Sequence, residues 1–186
     1  EFPQSHIYCF EPDPRNFKYL KVMSAEDIES GMVKAFNQGL GEEKGKLHLS
    51  RIPEIPQANP SSSFFYDFNV PQADDSAGTA SSAAASDAAG VDVEITTIDD
   101  LVAQNNLNIG LIKMDVEGFE PHIVRGALNT IRTQRPVLAI CIYHTPEEFY
   151  ELKPFLESLD LGYKFMIRHT SVCSAMVEVV LLAYPS

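Results

Sequence analysis

The sequence predicts an α/β fold in which a mostly parallel sheet ends in an antiparallel hairpin. Three observations predict it. Short apolar runs alternate with segments of helical period along most of the 186 residues. Several of these runs stop at an acid or a histidine, the edge at which open α/β sheets bind ligands. The last two runs, 163–169 and 176–184, lie about six residues apart. A parallel crossover needs a dozen residues or more, so as neighbours these two strands must be antiparallel.

Residues 6–11 (HIYCFE) read as a buried strand closed by Glu11. Asp13 and Pro14 then start a helix, the acid as N-cap and the proline at the first helical position, with Phe17, Leu20 and Lys21 along it. Residues 32–37 read as a second strand, followed by Gly39-Leu40-Gly41 and a hairpin-like piece containing KLHLS. Across 53–90 the prolines at 53, 56, 60 and 71 break regular structure, and the Ser/Ala tract at 76–90 has no apolar period. Poly-Ala favours helix, but the Gly and Ser content and the missing caps favour a flexible insertion. Phe64, Phe65, Tyr66 and Phe68 are expected to hold its first half in place.

Residues 91–97 alternate as a strand, and Asp99 and Asp100 open a short helix. Residues 109–114 form an apolar strand ending at Asp115. Gly118 turns the chain into a helix that places Phe119, Ile123, Ala127 and Ile131 on one face. Residues 136–143 are a wholly apolar strand. Thr145-Pro146-Glu147-Glu148 is a capping box, with Phe149, Leu152, Leu156 and Leu159 as the expected buried face and Pro154 as a kink or break.

Composition narrows the function. A 45% apolar content and this length suit one globular domain over residues 1–186. The net charge of −12 argues against nucleic acid, whose binding depends on Lys and Arg neutralising phosphates. Cys9, Cys141 and Cys173 make no complete disulfide set and read as buried reduced thiols, with a cytoplasmic location favoured. No apolar run reaches the roughly 18 residues that span a membrane.

Glu11, Asp115, Glu117 and His144 all follow strand ends, which marks a site without naming its reaction. Lys113 interrupts an apolar strand two residues before Asp115 and is expected to be a buried lysine paired with that acid. His6, His48, His122 and His169 read as structural or exposed.

FEPDP at 10–14, NQGLGEEKGKLHLS at 37–50, VDVEITTIDDL at 91–101, LIKMDVEGFEPHIVRGALNTI at 111–131, RPVLAICIYHTPEE at 135–148 and LGYKF at 161–165 together resemble the FkbM methyltransferase family. KMDVEGFE is the most specific of these stretches. The resemblance implies a class I (Rossmann-like) methyltransferase sheet of seven strands. It also implies methyl transfer from S-adenosylmethionine, usually to a hydroxyl of a sugar, polyketide or related small-molecule acceptor. Glu11 matches the acid that accepts the ribose hydroxyls, since a carboxylate can take two donors at once. Pro12 lies beside it in the motif, and Gly39 and Leu40 fall where the adenine would pass. Asp115, Glu117 and His144 are the catalytic candidates, with Asp115 also near the cofactor.

The family's glycine-rich cofactor turn would precede Glu11, and no GxGxG occurs in the chain. The first strand and helix of the fold are therefore expected to be missing. The chain reads as a fragment or an incompletely delimited gene product, with natural truncation as the alternative. On its own it is expected to bind S-adenosylmethionine weakly. Two other functions stay open: a non-catalytic binding domain, and a nicotinamide-dependent oxidoreductase, whose cofactor ribose an acid after the second strand would also suit. Asp115, Glu117 and His144 offer metal ligands, but magnesium prefers oxygen, and Tyr143 and His144 stand where a second acid would be expected. The expectation is a metal-independent site with Asp115 or His144 as base.

Overall fold

A computed structural model describes residues 5–51, 63–65, 90–169 and 178–186. The Ser/Ala tract at 76–89, Tyr66, Phe68 and Cys173 lie outside the described residues. The chain forms two compact units: Glu1–Gly39 with Gly45–Ile95, and Leu40–Lys44 with Thr96–Ser186.

In the first unit, β1 (Ile7–Phe10) pairs in parallel with β2 (Val33–Phe36), and Phe10 stacks on Phe36 at 4.9 Å. Between them run α1 (Pro14–Met23) and a short α2 (Ala25–Glu29) that the sequence pattern did not announce. Asp13 caps α1 as expected: it is buried and accepts the Arg15 amide at 2.7 Å. Lys21 lies over the Phe17 ring, 5.1 Å from its centroid.

β3 (Gly39–Leu40), β4 (Gly45–Arg51), β5 (Ser63–Phe65) and β6 (Val91–Thr96) form a sheet in the order β3-β6-β4-β5. The hairpin expected around 39–50 does not form as such. β4 pairs antiparallel with β6 and with β5, and Leu49, Val93 and Ile95 are buried together. Phe64 and Phe65 fall within β5.

The second unit holds the main core. Its sheet runs β7-β8-β10-β9, from β7 (Leu111–Met114), β8 (Val137–Cys141), β9 (Tyr163–His169) and β10 (Val179–Pro185). β7 and β8 are parallel, whereas β10 is antiparallel to both β8 and β9, so the expected terminal hairpin is present. Leu138, Ile140 and Leu181 are fully buried, and emptying any one of these positions would cost about 2–5 kcal/mol. The fold is thus mixed α/β, but not one mostly parallel sheet. The two parallel pairs lie in separate sheets, because among the described residues no strand hydrogen-bonds to both.

α3 (Ile98–Asn105) carries Asp99 and Asp100 in its first turn as expected, and is capped by Thr97, whose hydroxyl accepts the Asp100 amide. Asp99 instead accepts the Asn129 and Thr130 amides at 2.9 and 2.7 Å, which caps the start of a different helix. That helix exists because the one expected after Gly118 is two: α4 (Glu120–Arg125) and α5 (Leu128–Gln134). Ile123, Ala127 and Ile131 are still buried, as the spacing required. The break falls at Gly126, where a Cβ would sit 1.9 Å from the Gly41 carbonyl oxygen. Gly126→Ala is expected to destabilise the protein by about 1–3 kcal/mol through overpacking, read as a lower urea midpoint. An unchanged midpoint would refute the close approach.

α6 (Pro146–Ser158) has both halves of its capping box and runs through Pro154 undivided. Leu152 and Leu156 are buried and Leu159 packs on the core, but Phe149 is exposed. Glu148 takes the inward position in its place and is fully buried. Among the described residues no helix is long and apolar enough to cross a membrane.

Candidate active site

The loop after β7 is built by its own backbone. Met114 points into the core, which turns Asp115 outward. Glu117 and Gly118 both adopt left-handed backbone, with φ of 57° and 102°. That conformation suits glycine and strains a glutamate. Glu120 holds the turn: its two oxygens accept the Val116 amide at 2.8 Å and the Gly118 amide at 3.0 Å.

Asp115 stands half-exposed at the strand end, between two sets of partners. Lys113 donates to its Oδ2 at 3.1 Å, and the Tyr143 hydroxyl donates to its Oδ1 at 3.3 Å. The expected Lys113 ion pair is therefore present, but it is exposed rather than buried, because the strand edge leaves the ammonium in solvent.

His144 follows β8 and comes up beneath these acids, with only 7% of its side chain exposed. Its Nε2 lies 3.6 Å from Asp115 Oδ1 and 3.7 Å from Glu117 Oε2. Its Nδ1 lies 3.4 Å from Glu120 Oε1 and 3.6 Å from Glu148 Oε2. The structure thus brings together Asp115, Glu117 and His144 and adds Glu120 and Glu148, which the sequence reading passed over as site residues. Glu148 was visible only as the acid of the capping box. Its Oε2 accepts the His144 and Thr145 amides, each at 3.2 Å.

The charges follow from this packing. Burial alone would depress the His144 imidazole, but Glu120, Glu148 and Glu117 push it up to about 10, so it is cationic at neutral pH. Burial opposes ionisation of Glu120, yet His144, Glu148 and the Val116 amide hold that carboxyl down at about 2. Burial and the neighbouring Glu120 push Glu148 up, against the pull of His144. Of the two carboxyls, Glu120 is therefore the more readily ionised. Burial, then Asp115, pushes the Cys141 thiol up to about 12, which leaves it inert.

Of the remaining sequence candidates, Glu11, Pro12 and Gly39 belong to the first unit and Leu40 to the second. Glu11 follows β1 in the first unit, where its Oε1 accepts the Asp13 amide at 2.8 Å. Burial raises its pKa, the Asp13 amide lowers it and the Asp13 charge raises it, for a net upward shift. Asn37 donates to the Glu11 and Pro12 carbonyls at 2.9 and 3.0 Å, which fixes the backbone of this turn. Gly39 is buried at the start of β3, and Leu40 packs against the core of the second unit.

A mixed α/β sheet with acids at its strand ends defines the class. The particular family comes from comparison. The family model described as Methyltransferase FkbM domain matches residues 2–165, and the chain belongs to that family. Its fold is similar to the crystal structure of Methyltransferase FkbM from Methylobacillus flagellatus KT. That likeness has a TM-score of 0.65 at 20% identity, over 97% of this chain and 36% of that one. The chain therefore spans about a third of the length of that structure. Comparison with curated proteins finds no match.

Proposed function

We propose that the protein transfers a methyl group from S-adenosylmethionine to a hydroxyl oxygen of a sugar or other small-molecule natural product, with Asp115 receiving the acceptor's proton. The observation that carries this reading is the contrast between Asp115 and His144. His144 already holds a proton at neutral pH and has none of the capacity a general base needs. Asp115 is half-exposed, and its partners are donors that leave lone pairs for a hydroxyl.

In the reaction, the acceptor O–H bond breaks and its proton goes to Asp115. S-adenosylmethionine, when bound, would supply the methyl group to that oxygen and leave as S-adenosylhomocysteine. His144 and Lys113 hold the Asp115 carboxylate in place, and Glu117 flanks His144 from the other side. Glu11 is the proposed ribose acid, with Pro12, Gly39 and Leu40 along the cofactor and residues 1–186 working as one methyltransferase domain.

Isothermal titration of the complete protein with S-adenosylmethionine and with NAD tests the class. Saturable heat is expected with the first and none with the second. The reverse result would make the protein an oxidoreductase, and silence with both would make it a non-catalytic member.

A further inference from the structure

We propose that Asp115, Glu117 and the Nε2 of His144 form a binding site for one divalent transition-metal ion, with Glu120 as the carboxylate that orients the imidazole. The inference rests on the reading of Asp115 as the residue that meets the acceptor, and it departs from the metal-free site expected from sequence.

Three observations carry it. The first is the donor set: Asp115 Oδ1 and Glu117 Oε2 both face His144 Nε2, and Asp115 and His144 also group with Glu120, on the far side of the ring, with candidate ligand atoms within 4.8 Å of one another. The second is an imidazole without hydrogen bonds. His144 is more than nine-tenths buried, yet neither of its ring nitrogens makes a hydrogen bond. Its Nε2 faces carboxylate oxygens at 3.6 and 3.7 Å, too far for charge-assisted hydrogen bonds, which run to about 2.9 Å. Two ligands about 2.1 Å from a tetrahedral ion lie about 3.4 Å apart, close to this spacing. The third is the support behind the ring. Glu120, itself fully buried and fixed by two backbone amides, lies 3.4 Å from Nδ1. A carboxylate behind the second nitrogen of a ligating histidine sets its tautomer and raises its basicity, and the incoming ion displaces the Nε2 proton that His144 carries in the metal-free protein.

The outer face of the site is open. Asp115 and Glu117 keep 36% and 37% of their side chains exposed, so an ion held there would have positions left for water or an acceptor hydroxyl. One imidazole with two carboxylates suits Mn²⁺ or Zn²⁺ better than Mg²⁺. A bound ion would lower the hydroxyl's pKa where the proposed chemistry needs it.

The test is titration of chelator-treated protein with Mn²⁺, the free ion followed by electron paramagnetic resonance, with neither cofactor nor acceptor present. One ion per chain is expected. Asp115→Asn and His144→Ala should abolish that site, and Glu120→Gln should weaken it by about 10- to 100-fold. Asp115 is half-exposed, so its variant is expected to fold even if the buried ones do not. Absence of saturable binding overturns the proposal, as does binding that Asp115→Asn leaves unchanged. Because the readout uses the metal alone, its failure would leave methyl transfer standing, and failure of the cofactor titration would leave the ion site standing.

Discussion

Asp115→Asn is expected to cut methyl transfer by about 10²- to 10⁴-fold, the usual contribution of a positioned proton acceptor, while the dissociation constant for S-adenosylmethionine barely moves. The amide keeps the size of the carboxylate and its Oδ1 contact with Tyr143, but it gives up the charge and the lone pairs that a hydroxyl would meet. Glu11→Gln is expected to do the opposite. A hydrogen bond to a charged group is worth about 1.5–3 kcal/mol, so losing the carboxylate should weaken cofactor binding by about 10- to 100-fold. Turnover at saturating cofactor should then stay near that of the parent. Single-turnover rates and titration in the complete protein separate the two effects. Equal losses of cofactor affinity in both variants would end the division of roles, because Asp115 would then be a cofactor residue rather than an acceptor one.

What the sequence revealed was local, and what it hid was tertiary. The caps at Asp13 and Thr145 were legible because each is a hydrogen bond between residues two or three apart. The terminal hairpin followed from a connection too short for a crossover. The division into α4 and α5 was hidden, since it depends on the approach of Gly126 to Gly41, far away along the chain. Likewise, nothing in the order of apolar runs says which strands pair, and the parallel pairs proved to belong to different sheets.

The site was half legible for the same reason. Asp115, Glu117 and His144 could be named because strand ends converge on one edge of a sheet, and the structure does bring them together. Glu120 and Glu148 could not, because an acid in the first turn of a helix ordinarily reads as a surface charge at the positive end of the dipole. Both are instead fully buried, and their partners are backbone amides and an imidazole that no periodicity announces. Glu148 also displaced Phe149 from the inward face of α6. Hydrophobicity alone would not place a carboxylate on that face.

That burial carries the second large expectation, on stability. Glu120→Ala is expected to cost about 3–5 kcal/mol, because it leaves a buried imidazolium without its nearest partner and two backbone amides without an acceptor. The pH dependence follows from the directions of the shifts. Glu120 is held at about 2 against its usual 4.5, so its contribution is complete above 4.5 and fades as the pH falls toward 2. His144 is raised from 6.5 to about 10, so its contribution is complete below 6.5 and fades as the pH climbs toward 10. Glu148 is also raised, so its contribution is complete below 4.5 and is lost as the pH rises through its folded-state value. In metal-free buffer the urea midpoint should therefore be higher near about pH 6 than near about pH 9, and His144→Ala should remove most of that difference. A parent protein equally stable at both pH values would show that folding does not raise the imidazole's pKa. The cluster would then be held together by something other than its charge.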